Sequence, residues 1–166
     1  MTPETHSPAG AALTELVLEI FRLNGRLLAT GDRLVADAGL TSARWQVLGA
    51  IHYAGTPQTV SWLARSMGLT RQAVQRIVNE LEGKGLTAFQ PNPAHRRAHL
   101  VTLTGKGQAA YAAAERRQTP WINALATGMD EAEVAGALRF LRMIRSRLES
   151  AQDDAEGPPG PLTDGS

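Results

Sequence analysis

A mainly α fold carrying one small β-hairpin is what this sequence predicts, and three observations predict it. Apolar residues recur at helical spacing from Ala9 to about Ala36, through the forties, and again across the last third of the 166 residues. Two short helical patterns, Thr59 to Met67 and Thr70 to Lys84, are separated only by the tight Met67-Gly68-Leu69 turn. Directly after them, Leu86 to Pro91 and Ala98 to Leu103 suit two strands, joined by a stiff loop that holds Pro91, Asn92 and Pro93. Helix, turn, helix, hairpin in that order is a winged helix-turn-helix. A single domain over 9–151 is expected, its lobe at 41–104 framed by helical regions at 9–37 and 105–151.

The first helix carries Leu13, Leu16, Val17, Ile20, Phe21, Leu23, Leu27, Leu28, Leu34 and Val35 on more than one face, so it needs more than one partner surface. Gly25 and Gly31 each weaken it by about 1 kcal/mol relative to alanine. Gly39 closes it, and Thr41 caps a second helix with Trp45, Val47, Leu48, Ile51 and His52. After the Gly55-Thr56-Pro57 break, Thr59 caps a third, which places Val60, Leu63 and Ala64 on one side. The fourth starts at Thr70, with Ala73, Val74, Ile77 and Leu81 as its apolar stripe, and ends at Lys84 and Gly85.

Beyond the hairpin, Thr104 caps an alanine-rich helix in which Pro120 predicts a kink or a boundary. Asp130 caps the last helix, with Val134, Leu138, Leu141, Ile144 and Leu148 on one face. The polar start, 1–8, and the proline-, glycine- and acid-rich end, 152–166, are expected to be disordered.

Composition narrows the function classes. Cysteine is absent, which excludes disulfides, thiolate zinc sites and cysteine redox switches. Aromatic residues make up only 5%, too few for a surface that stacks many unpaired bases. No apolar run spans a bilayer and the N-terminus lacks the blocks of a signal peptide, so a cytoplasmic protein is expected, with no membrane partner. Of the four histidines, His6 lies in the polar start, His95 and His99 flank the arginine pair, and His52 has no acidic or histidine partner at spacing three or four, so no metal and no cofactor are expected. No nucleophile elbow, phosphate-binding loop or paired-carboxylate motif appears, and Gly105-Lys106-Gly107-Gln108 falls where a helix begins. An enzyme is not expected.

Charge points to double-stranded DNA. Between Thr59 and Thr104 stand Arg65, Arg71, Arg76, Lys84, Arg96 and Arg97 against Glu80 and Glu82 alone, whereas acids gather in the tail. The helix opening at Thr70, itself a candidate DNA contact, offers Arg71, Gln72 and Gln75 to base edges, since arginine matches the two acceptors of guanine and glutamine pairs bidentately with adenine. Arg76 and Asn79 lie further along, where phosphates return. In the hairpin loop Arg96 and Arg97 suit a minor groove, and Asn92 or His95 a phosphate. A solvated helix face and a solubilising loop are the alternatives for each alone; turn, helix and basic hairpin together favour DNA.

The stretches LTRQAVQRIVNELEGKGL and PNPAHRRAHLVTLTGKG resemble the recognition helix, wing and following helix start of the MarR family of bacterial transcriptional regulators, and the resemblance covers Leu13 to Leu148. The family's wing usually reads Asp, any residue, Arg; here it reads His95, Arg96, Arg97. Arg97 therefore matches the minor-groove arginine, and His95 replaces the acid that helps hold the wing. Loss of that acid beside the phosphates is expected to strengthen nonspecific affinity.

The resemblance implies a homodimer, built from the first and last two helices, on a pseudo-palindromic operator. It further implies repression relieved by a small aromatic or anionic effector, for which Arg22, Trp45, His52 and Tyr53 are the candidate contacts. Packing roles for Trp45 and Tyr53 stay open, as do an activator without an inducer and a winged-helix protein-interaction module.

Overall fold

A computed structural model describes residues 5–156, with side chains through residue 151. Two compact units divide the chain, one up to Ile122 and one from Asn123. In the first, α1 (Pro8–Val35) opens on Ser7, whose Oγ accepts the Gly10 N–H at 3.1 Å, and on Pro8, whose missing N–H costs nothing at a helix start. Only its far end is anchored, through buried Gly31 and Val35. Beside them Asp32 Oδ1 accepts the backbone N–H of Ser42 at 2.6 Å. A 3₁₀ turn (Ala36–Ala38) leads to α2 (Ser42–Ala54), capped by Thr41 as its sequence predicts.

Strand β1 (Gln58–Thr59) leads into α3 (Val60–Met67), which Thr59 caps, and α4 (Arg71–Gly83) follows with Thr70 as its cap. The reversal between the two helices turns on Gly68, at φ 64°, a conformation that costs residues with a Cβ but not glycine. The faces of α2, α3 and α4 meet in one core, in which Leu48, Leu63, Val74, Val78 and Leu81 have no exposure. Each such side chain contributes roughly 1.5–3 kcal/mol by leaving water.

The wing pairs β2 (Thr87–Gln90) with β3 (Leu100–Leu103), in the register Thr87 to Leu103 and Gln90 to Leu100. Both strands are shorter than the sequence predicts, because the residues at each mouth turn into the loop. A third strand was not predicted: β1 pairs antiparallel with the outer edge of β3, Gln58 to Val101 and Thr59 to Leu100, giving the order β1-β3-β2. Two residues carry no periodicity for a sequence pattern to catch.

The Gly105-Lys106-Gly107 run, chemically silent in the sequence, is the joint between wing and α5 (Gly105–Leu125). Thr104 Oγ1 donates to the Gly85 carbonyl at 2.7 Å and accepts the Gly107 N–H at 3.0 Å, while Lys106 Nζ donates to the Lys84 carbonyl at 2.8 Å. A Cβ at Gly107 would run into the Leu86 carbonyl oxygen, so only glycine lets α5 start this close to β2. The boundary anticipated at Pro120 is absent: α5 runs through it to Leu125. Pro120 is exposed, so water can satisfy the carbonyl whose partner N–H it lacks.

In the second unit, the Asp130 cap holds, with the Glu133 N–H on Oδ1 at 3.0 Å, and α6 spans Glu131–Glu156. It therefore passes Ala151, where disorder was expected to begin; 1–4 and 157–166 lie outside the described residues. Along α6 Val134, Leu138, Phe140, Leu141 and Leu148 are all exposed, as are Leu13, Leu18, Phe21 and Leu23 of α1 in the first unit.

Candidate nucleic-acid interface

The amphipathic pattern of α4 leaves its polar residues on the outside. Arg71, Gln72, Arg76 and Asn79 are exposed, with Gln75 partly so, because Val74, Ile77, Val78 and Leu81 hold the opposite face in the core. Arg71, Gln72, Gln75, Arg76 and Asn79 share one open groove with Glu80. A second groove, of about 340 Å³, runs between the helix and the wing, where Arg71, Gln75 and Asn79 face Arg97, Ala98 and His99 across Thr59 and Ser61. The fold thus brings Arg97 to the same surface as the recognition helix, from 18 residues beyond Asn79. Arg96 is exposed but lines neither groove.

Besides Arg76, four of the anticipated contacts are already engaged within the chain. Thr70 Oγ1 accepts the Ala73 N–H at 3.2 Å, as the cap that fixes where α4 begins. Gln75 Nε2 donates to Asn79 Oδ1 at 2.9 Å, one turn along, so the two amides present themselves as a pair. Asn92 Oδ1 accepts the Ala94 N–H at 3.0 Å, closing the turn at the start of the wing loop. Two backbone bonds follow, His95 N–H to Asn92 O at 3.2 Å and Ala98 N–H to His95 O at 3.1 Å. This wing, which lacks the usual acid at His95, is braced by Asn92 and its own backbone. At its base His99 meets Phe89 edge to face, with centroids 6.2 Å apart.

One residue of the reading surface was not singled out from sequence. Glu80 Oε2 accepts from Arg44 Nε and Nη2 at 3.2 and 2.9 Å, and Oε1 accepts from Arg76 Nη1 at 3.3 Å. It ties α4 to α2 and places a negative charge beside Arg76. The Glu80–Arg76 spacing of four was visible; the Arg44 partner, 36 positions away, was not.

A separate cavity of about 440 Å³ opens on the other side of α2. Trp45, Gln46, Gly49, Ala50 and Tyr53 of α2 face Met67 and, from α5, Tyr111, Glu115 and Gln118. Tyr111 and Tyr53 donate to the same carboxylate oxygen, Glu115 Oε1, at 2.7 and 3.2 Å. Burial first, then the neighbouring Tyr53 hydroxyl, the hydrogen bond to Glu115 and the charge of Glu115, push the Tyr111 phenol above its ordinary range, so it stays a donor. Of the residues anticipated here, Trp45 and Tyr53 line the cavity. Tyr53 is 76% exposed, which rules out the core role left open for it. His52 stacks on Tyr111, at 4.6 Å between centroids, without lining the cavity. Arg22 is not there: it sits exposed on α1, paired with Glu19 at 3.2 Å, because the free stretch of α1 stands away from α2. Tyr111 and Glu115 were missed, although one helical turn separates them.

Residues 38–98 match the MarR family model, which takes in the helix-turn-helix and most of the wing loop. An uncharacterized protein of Mycobacterium tuberculosis is 36% identical over 138 residues, 83% of this chain and 95% of that one. The chain belongs to the MarR family. The transcriptional activatory protein BadR of Rhodopseudomonas palustris is similar at 27% identity over 86% of this chain and 83% of its own. Among solved structures, the transcriptional repressor CouR bound to a 23-mer DNA duplex has a TM-score of 0.69 at 25% identity, over 85% of this chain and 99% of that one. CouR from Rhodococcus jostii RHA1 bound to p-coumaroyl-CoA gives 0.70 at 22% identity, over 78% and 90%. This chain is accordingly a MarR-family transcriptional regulator with a winged-helix fold. Among its described residues, no helix is long and apolar enough to cross a membrane, and no cluster of His, Asp and Glu is arranged to hold a metal.

Proposed function

We propose that this MarR-family regulator is a homodimeric repressor that reads a pseudo-palindromic operator and is released from it by a small molecule. The observation that carries the DNA reading is the groove in which Arg71, Gln75 and Asn79 of α4 face Arg97 of the wing. A helix seated in the major groove sets Arg71 and Gln72 at base edges and Arg76 at phosphate, while Arg97 and Arg96 reach the adjacent minor groove. Gln75 and Asn79 act as a linked amide pair, and Asn92 shapes the wing as it approaches the backbone. CouR, seen on duplex DNA, supports this reading of a similar fold.

The exposed apolar faces of α1 and α6 support the homodimer, since a second copy is the partner that covers both in a symmetric assembly. Two reading heads then meet half-sites about one helical turn apart. The cavity beside Tyr111 supports a small-molecule effector, as does the p-coumaroyl-CoA complex of CouR. Repression rests on CouR; the likeness to BadR favours activation as the competing sign.

Fluorescence anisotropy with duplexes tiling the promoter of the chain's own gene tests the proposal. A salt-sensitive complex at nanomolar to micromolar protein is expected. Arg97→Ala should weaken it by about 1–3 kcal/mol, roughly five- to 150-fold, with the dimer retained. Absence of any sequence-preferring complex overturns DNA reading, and a promoter fusion that loses expression when the regulator is deleted overturns repression.

A further inference from the structure

The 440 Å³ cavity beside α2 has a chemical character that the effector reading leaves unspecified. Its walls are aromatic, from Trp45, Tyr53 and Tyr111, and the charged residue among them is Glu115. Neither lysine, arginine nor histidine lines it, so an anionic ligand would find no counter-charge there. The two tyrosine hydroxyls occupy Glu115 Oε1, which orients the carboxylate and leaves Oε2 without a hydrogen-bond partner among the described residues. Gln46 and Gln118 add neutral polar groups to the walls.

A carboxylate held by two phenols beside three aromatic side chains suits one class of guest. Cations are drawn to the faces of Trp and Tyr, whose quadrupoles are negative, and to a carboxylate oriented beforehand. The volume is that of a small-molecule site. We infer that this cavity takes an aromatic organic cation, its charged head between Glu115 and the rings of Trp45 and Tyr53 and its apolar body against Tyr111 and Met67. This rests on the reading of the cavity as an effector site and names the effector's class. The position also gives the guest leverage: Trp45 and Tyr53 belong to α2, the helix that Arg44 ties through Glu80 to α4. A cation that draws α2 toward α5 acts on the reading helix through that ion pair, and it shifts DNA affinity insofar as it binds one arrangement better than the other.

Isothermal titration of the full-length protein with benzyltrimethylammonium, phenylacetate and benzyl alcohol separates charge from shape. The cation is expected to bind at least tenfold more tightly than the anion, with the neutral alcohol between them. Glu115→Gln should remove most of that preference, and Tyr53→Leu, at an exposed position, should weaken the cation severalfold without touching the core. Melting by circular dichroism reports whether each variant folds; if Glu115→Gln does not, Tyr53→Leu carries the test. Equal or tighter binding of phenylacetate, cation affinity unchanged in the folded variants, or no binding of any of the three overturns the inference. Operator affinity measured without ligand reports DNA reading separately. If the cation binds as expected while the DNA complex persists, the ligand class stands and ligand-driven release falls.

Discussion

Helices α4 and α6 carry the same signal in sequence, an apolar stripe at helical spacing, and meet opposite fates in the structure. In α4, Val74, Val78 and Leu81 have no exposure and Ile77 only 6%; in α6, Leu138 is 47% exposed, Leu141 42% and Leu148 63%. The difference is one of neighbours. The stripe of α4 is met within some 40 residues by α2, α3 and β2, which come from the same lobe and close on it. The stripe of α6 has no such set of partners among the described residues of its own unit. A hydrophobic period therefore states that a face will leave water and is silent about whether its own chain or another covers it.

The largest effect that separates the two is expected at Leu81. Leu81→Ala leaves a cavity in a core without exposed members and should lower the unfolding free energy by about 2–5 kcal/mol, read by urea denaturation at fixed protein concentration. A loss under 1 kcal/mol would mean that the α4 face is looser than its burial states. Leu141→Ala should act on a different quantity. Within one chain the change touches a half-exposed residue and should move the fold by no more than about 0.5 kcal/mol, whereas self-association should weaken by about 1–3 kcal/mol, read by sedimentation equilibrium. If Leu141→Ala instead destabilises the fold as Leu81→Ala does, independent of concentration, the contrast between the helices is wrong.

The contrast also explains how much could be read beforehand. Helix starts were legible because Thr41, Thr59, Thr70, Thr104 and Asp130 cap by a side-chain oxygen three residues ahead of its N–H donor, a purely local geometry. The exposed residues of the reading helix were legible for the same reason, as the complement of a local stripe. What failed was non-local. Strand β1 exists because β3 offers it an edge; Gly107 matters because the Leu86 carbonyl lies against it; Glu115 and Tyr111 form a site because α2 brings Tyr53 and Trp45 opposite. At Pro120 the rule allowed either a kink or a boundary, and it is the boundary that the helix passes over, where water could take over the missing bond. Arg22 came from a family position alone, and within this chain it pairs with Glu19 and does not line the cavity.

The smallest effect concerns the polar side of α4, and its sign is what informs. Glu80 is one-third exposed and joins a partly buried Arg44 to an exposed Arg76, so Glu80→Gln takes the negative charge out of two ion pairs and should lower stability by only about 0.5–1 kcal/mol. On DNA the same change should work the other way. Glu80 sets a negative charge beside the arginine that the DNA reading assigns to phosphate, so its removal lessens repulsion of the backbone and frees Arg76 from an intramolecular partner. Affinity in low salt should rise by roughly two- to tenfold, with the gain shrinking as salt screens it, in the anisotropy titration. Weaker stability with tighter binding identifies Glu80 as a brake that the lobe keeps for the sake of its α2 to α4 tie. Should affinity fall together with stability, the Arg44–Glu80–Arg76 chain is instead what aims Arg76 at the phosphate, and the two faces of α4, one buried and one exposed, are less independent than their burial implies.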